Sequence, residues 1–258
     1  MNIALIGCLV GGVVLVCWSL WFSNREAAQI EDTTSAMQSL VAEFRAAFNQ
    51  EQLEMAAHMG KLHQAGHFTE AAMLVERLLP AATDHNSALY VHLLLIKVDC
   101  LLRQNQIDQA EKICLDYVQE NVSDEQKLMM LDGCASYILY QSSAAHFARA
   151  EKLARMGLQI APETLTLKGT LGSLLVEQGE YAKGEALLNE CQERSPALQD
   201  RAISYFYLGL IKMRTGKAKE GKRLMICAMK MYPEAWMVAK GKELFKAAGS
   251  EPVGKVSV

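Results

Sequence analysis

Proline, glycine and small residues return along this chain at a shared period, and that period excludes most folds before any element is placed. Pro162, Pro196 and Pro233 stand 34 and 37 residues apart, Gly179 and Gly216 are 37 apart, and Ala150, Gly184 and Gly221 repeat the 34 and 37. A repeat of this length is that of two helices and their turn. A single such pair cannot bury its apolar face, so it must pack on a neighbour. Between the markers lie segments of about 12–16 residues with apolar positions at helical spacing, and no stretch alternates apolar and polar residues as a half-buried strand does. The body of the chain is expected to be all-α.

Aligned on Pro196, one unit reads Leu165, Leu171-Gly172, Leu175, Gly179, Tyr181, Gly184, Leu188, Cys191. Aligned on Pro233, the next reads Tyr205, Leu208-Gly209, Gly216, Gly221, Met225, Ala228. Weaker matches precede them at Phe147, Ala150, Gly157 and Pro162, at Ile107, Ala110 and Cys114, and at Gly66, Phe68 and Ala71. Met59, Val98 and Ile138 stand where the stronger units place a small first-helix residue. The pattern resembles the tetratricopeptide repeat family over roughly residues 50–235. The resemblance implies an α-solenoid of five helix-turn-helix units over 51–248, with Ala235 to Ala248 as the helix that covers its end, and a flexible tail over 249–258. It also implies binding rather than catalysis, with a peptide segment held in a concave groove lined by the first helices. Carried onto the two stronger units, the lining positions include Ser173, Val176, Ile203, Phe206, Leu210 and Met213, with Phe206, Leu210 and Met213 as anchors for an apolar or amphipathic segment.

Twenty consecutive residues, Ile3 to Phe22, carry no charge. At about 1.5 Å of rise each they match the roughly 30 Å of a bilayer's hydrocarbon core. Trp18 and Trp21 sit where an aromatic belt meets the headgroups, and the basic n-region of a cleaved leader is missing. Residues 1–23 are therefore expected to be a transmembrane anchor, with Gly7 and Gly11 spaced to let two such helices approach and form a homo-oligomer. Residues 24–50 are expected to be a juxtamembrane linker and an amphipathic helix, on a capping box at Ser35-Ala-Met-Gln38 and apolar Leu40, Val41, Phe44 and Phe48. Seven Cys form neither a CxxC pair nor a metal finger, and the five in the body fit a reducing compartment, hence the cytoplasmic side.

No constellation for chemistry emerges. Gly216-Lys-Ala-Lys-Glu-Gly221-Lys222-Arg223 has P-loop spacing, but Arg223 replaces the hydroxyl that would hold magnesium, and Gly216 and Gly221 already serve as the repeat's turn and packing residue. His58, His63 and His67 cluster, with His63 and His67 four apart as a zinc pair would be, yet Gly66 interrupts the helix and no second ligand pair accompanies them. No enzyme activity, cofactor or metal is expected. A net charge of −3 supplies no field for a polynucleotide, so nucleic acid is not an expected partner. The charge is uneven, however: residues 212–246 hold ten basic residues against three acidic ones, with Lys217, Lys219, Lys222 and Arg223 at the centre of a basic patch. The expected function is a membrane-anchored scaffold or assembly factor, with a membrane-tethered holding chaperone for unfolded polypeptides as the alternative.

Overall fold

The structure is a computed structural model and describes residues 38, 40–232 and 235–247. The apolar run 3–22 with Gly7 and Gly11, the start of the Ser35 capping box and the tail 249–258 lie outside the described residues. Among the described residues, no helix is long and apolar enough to cross a membrane.

All regular structure among the described residues is helical. After a helical stretch over 40–47 come α1 (Gln50–Gln64), α2 (Phe68–Leu78), α3 (Ala88–Arg103), α4 (Ile107–Val118), α5 (Asp124–Gln141), α6 (Phe147–Ile160), α7 (Leu165–Glu177), α8 (Tyr181–Arg194), α9 (Leu198–Arg214), α10 (Ala218–Met231) and α11 (Ala235–Ala247). They pair in order as hairpins, α1 with α2 through α9 with α10. The hairpins fall into two compact units: α1 to α6 in the first, which ends at Ile160, and α7 to α11 in the second, which begins at Ala161. Within the first unit α2 packs on α3, and α3 and α4 on α5. Within the second, α7 and α8 pack on α9, and α11 on α10.

Four of the five hairpins close on one turn. Gly66, Asn105, Gly179 and Gly216 take positive φ of 83°, 59°, 87° and 86°. The next residue then donates its N–H to the carbonyl five residues back, at 2.9 Å for His67 to Leu62 and 2.8 Å for Gln106 to Leu101, Glu180 to Leu175 and Lys217 to Lys212. This bond satisfies a carbonyl that the helix end leaves open, and it needs a left-handed residue before it, which Gly or Asn supplies at least steric cost. The α5–α6 hairpin closes differently. There Ser142 donates both its N–H and its hydroxyl to the Ile138 carbonyl, at 3.1 and 2.6 Å, before a short 3₁₀ turn over Ala144–His146.

Behind each turn a small residue of the second helix is buried: Ala71, Ala110, Ala150, Gly184 and Gly221. In the second unit the crossing is backbone on backbone. A Cβ added at Gly184 would lie 2.8 Å from the Gly172 carbonyl oxygen, and one added at Gly209 would lie 2.7 Å from that of Gly221.

The first unit's core also takes in Leu40, Phe44 and Phe48, ahead of the boundary expected at residue 51; they cluster with Leu89, Leu93 and Ile96. Burial of each Phe stabilises the unit by about 1.5–3 kcal/mol. Glu43 reinforces the attachment, since its carboxylate accepts the Leu89 N–H at 3.0 Å in the first turn of α3, where the helix dipole favours an anion. A capping box that sequence reading did not single out opens α1: Asn49 Oδ1 accepts from Gln52 N and Gln52 Oε1 from Asn49 N, both at 2.9 Å.

Candidate partner-binding surfaces

Of the six expected lining residues, Ser173 and Val176 stand on α7 and Ile203, Phe206, Leu210 and Met213 on α9. Ser173, Val176, Phe206 and Leu210 are fully buried, which corrects the expectation that Phe206 and Leu210 are free to anchor a partner. For Phe206 the reason is α11. Trp236 meets its ring edge-on with centroids 5.5 Å apart, and Tyr207 does the same at 5.7 Å. Val176 packs at the Gly184 crossing. Ile203 and Met213 stay half-buried, Met213 with its Cγ against the Gly221 crossing.

Each unit instead contains a buried carboxylate that ties together helices from successive hairpins. In the first unit Asp99 of α3 is fully buried; His63 of α1 pairs with its Oδ2, Gln141 of α5 donates to Oδ1, and Arg103 Nε lies 3.7 Å away. In the second, the Glu177 side chain at the end of α7 is 7% exposed and meets Arg214 of α9 at 3.0 Å and Lys240 of α11. Arg214 also donates to the Val176 carbonyl at 2.9 Å, a cation at the C-terminal end of α7 where the helix dipole favours it. A charge this buried needs partners of this kind.

The three clustered histidines separate. His63 turns inward to Asp99 and its ring meets Phe68 edge-on at 5.5 Å, whereas His58 is exposed and His67 stands exposed beyond the Gly66 turn. Among the described residues no group of three His, Cys, Asp or Glu is placed to hold a metal. Gly216 and Gly221 are the turn and crossing residue of the α9–α10 hairpin, so the P-loop spacing there serves packing.

Among the described residues two surfaces stand out. Between α2, α3 and α4 runs a groove of about 400 Å³, floored by Ala72, Leu101 and Ile113 and edged by Met73, whose side chain is among the few large apolar ones left exposed, at 62%. Polar pairs frame it: Thr69 donates to Gln104 Oε1 at 3.1 Å, and Lys97 is paired with Glu76. The periodicity of the first helices pointed elsewhere, and a groove between neighbouring hairpins has no signature within one repeat. The second surface is the basic patch. Lys217, Lys219 and Arg223 are exposed, while Lys222 is half-buried with its ammonium 5.2 Å from the centre of the Phe245 ring.

Burial governs the thiols and one imidazole of the first unit. Cys100 is pushed up to about 12 by burial, with the charge of Asp99 adding to it. Cys134 is raised well above the usual range by its hydrogen bond with Cys114 and by burial. His92, bonded to the Ala88 carbonyl at 2.7 Å, is held below its usual value by burial. Four of the five body cysteines are buried and Cys227 is exposed. The four buried cysteines are packing residues, and a neutral buried thiol is a poor nucleophile.

No protein-family profile and no curated protein matches the chain. Among solved structures, a tetratricopeptide repeat protein from Parabacteroides merdae is similar at 15% sequence identity, with a TM-score of 0.47 over 78% of this chain and 75% of that one. The fold described above stands on the hairpins themselves.

Proposed function

We propose that this chain is a membrane-anchored interaction scaffold: hairpin repeats that hold a protein partner, tied to a bilayer by the apolar run 3–22. The observation that carries the reading is the repetition of one turn and one small-residue crossing along successive hairpins, the arrangement that the tetratricopeptide resemblance implies and that such repeats use to present helix faces to peptides. A partner segment lies along the first helices of the second unit and meets Ile203 and Met213, the lining residues that are only half-buried. The body performs no chemistry of its own in this reading. The apolar run acts as an uncleaved anchor, with the repeats on the cytoplasmic side.

Crosslinking in native membranes tests both halves. The full chain should stay with the membrane through alkaline extraction and yield one stoichiometric partner, and Ile203→Ser with Met213→Ser should reduce its recovery at least tenfold with helical circular dichroism unchanged. Unchanged recovery overturns the groove. Capture of many unfolded clients in place of one partner identifies a holding chaperone.

A further inference from the structure

On α10, Lys219, Arg223 and Lys230 follow at i, i+4 and i+11, so they stand within about 40° of one line along the helix. All three are exposed, as is Lys217 at the helix start. On α11, Lys242 and Lys246 are exposed at i, i+4. The Lys222 ammonium over the Phe245 ring joins the two helices, so both rows of cations belong to one packed pair.

Other second helices place opposite charges at this spacing. Lys112 and Asp116 pair on α4 at 2.6 Å, Glu151 and Arg155 on α6 at 2.6 Å, and Glu190 and Arg194 on α8. In α10 and α11 the positive sign is repeated instead, as Lys219–Arg223 and Lys242–Lys246, an arrangement that by itself weakens a helix. The neighbouring cations with internal carboxylates are Lys212, Arg214 and Lys240, which meet Glu185 and Glu177. Glu220 and Glu243, the exposed acids on α10 and α11, are too few to balance the rest.

We propose that the row of α10 bearing Lys219, Arg223 and Lys230, together with Lys242 and Lys246 of α11, docks on the anionic headgroups of the bilayer in which the chain is anchored. Rows of cations along the outsides of two helices suit a fluid sheet of anions, whose headgroups rearrange to meet them, better than an acidic peptide that needs a cleft. Base stacking needs exposed rings, and here Tyr232 is buried and Trp236 packs on Phe206. A tether to the same bilayer makes a weak electrostatic contact effective, because the face meets the surface at high local concentration. The inference rests on the anchor proposed above.

Cys227 reports on it, since it is exposed on α10 between Arg223 and Lys230 while the other four body cysteines are buried. The full chain, carrying Cys8→Ser and Cys17→Ser, is labelled there with a fluorophore and reconstituted into vesicles of phosphatidylcholine alone or with phosphatidylglycerol, each with a headgroup nitroxide. Quenching should be at least about twofold stronger in the anionic vesicles and should fall to the neutral level in 1 M salt, where screening acts within roughly 3 Å. Lys219→Gln, Arg223→Gln and Lys230→Gln together should remove the difference with helicity unchanged. Equal quenching in both vesicles, or quenching that survives these substitutions, overturns the proposal. So does crosslinking of Cys227 to an acidic protein in native membranes with no quenching by lipid. Failure of the anchor reads separately, as failure to float with neutral vesicles in 1 M salt.

Discussion

Met59 and Val98 in the first unit occupy the position that Gly172 and Gly209 occupy in the second, seven residues before the left-handed turn residue in each case. The buried small residue five positions after the turn is Ala71 or Ala110 in one unit and Gly184 or Gly221 in the other, where Gly184 faces Gly172 and Gly221 faces Gly209. The same hairpin is therefore filled in two ways, by a large side chain over alanine or by backbone against backbone. The buried ties differ as well. Asp99 relies mainly on an imidazole and an amide, whereas Glu177 has a guanidinium and an ammonium. A shared turn fixes how a hairpin reverses, and the crossing behind it decides how much change the hairpin tolerates.

The largest effect should come from the glycine crossing. Gly221→Val sets a branched side chain against the Gly209 carbonyl, where neither backbone can withdraw, and should destabilise the second unit by about 3 kcal/mol or more. Its counterpart Ala110→Gly should cost only about 1 kcal/mol, through helix propensity. Segment-resolved hydrogen exchange in denaturant separates the two units, and equal losses would erase the distinction drawn between their crossings.

The ties come next. Asp99→Ala strands His63 and Gln141 and should cost about 2–3 kcal/mol, the penalty of buried polar groups left without a partner. Glu177→Ala should cost only about 1 kcal/mol, because Arg214 and Lys240, each about a third exposed, can turn to water. Chemical denaturation of the two variants gives the order, and the reverse order would refute the assignment of Asp99 as the more committed tie.

At the turns, Gly216→Ala should cost about 1–2 kcal/mol, since alanine in the left-handed region is strained, while Asn105→Gly should change stability by less than about 0.5 kcal/mol. Thermal melts of both suffice. The smallest effect is on pH. His92 is held neutral by burial, so the unfolded chain takes up its proton first, and the first unit should lose stability as pH falls below about 6.5. Cys100 and Cys134 keep their protons when folded, so stability should also fall as pH rises past about 8.5, where unfolded thiols ionise. Exchange rates that rise at neither edge in α3 and α5 would count against these burial shifts.

Much of the fold was legible because the repeat sets it locally. Gly66, Gly179 and Gly216 mark turns since few other residues take their φ, and Pro162, Pro196 and Pro233 follow the ends of α6, α8 and α10 because proline cannot continue a helix. Asn105 escaped notice because asparagine is common elsewhere. The site was less legible. A lining position copied from a family assumes an open face, and Phe206 became core when α11 supplied Trp236 to cover it. Asp99 gave no signal, for a lone acid within an apolar helix shows neither its burial nor its partners.

The order of amino acids alone determined that the body is helical, where most hairpins turn, and which small residues let helices approach, because each depends on backbone sterics within a few residues. It also determined the charge-free run and the uneven distribution of lysine and arginine. Only tertiary structure decided where the hairpins part into two units, that His63 meets Asp99, and which lining side chains remain open to a partner. Those depend on contacts between residues dozens of positions apart, and periodicity holds no record of what packs across that distance.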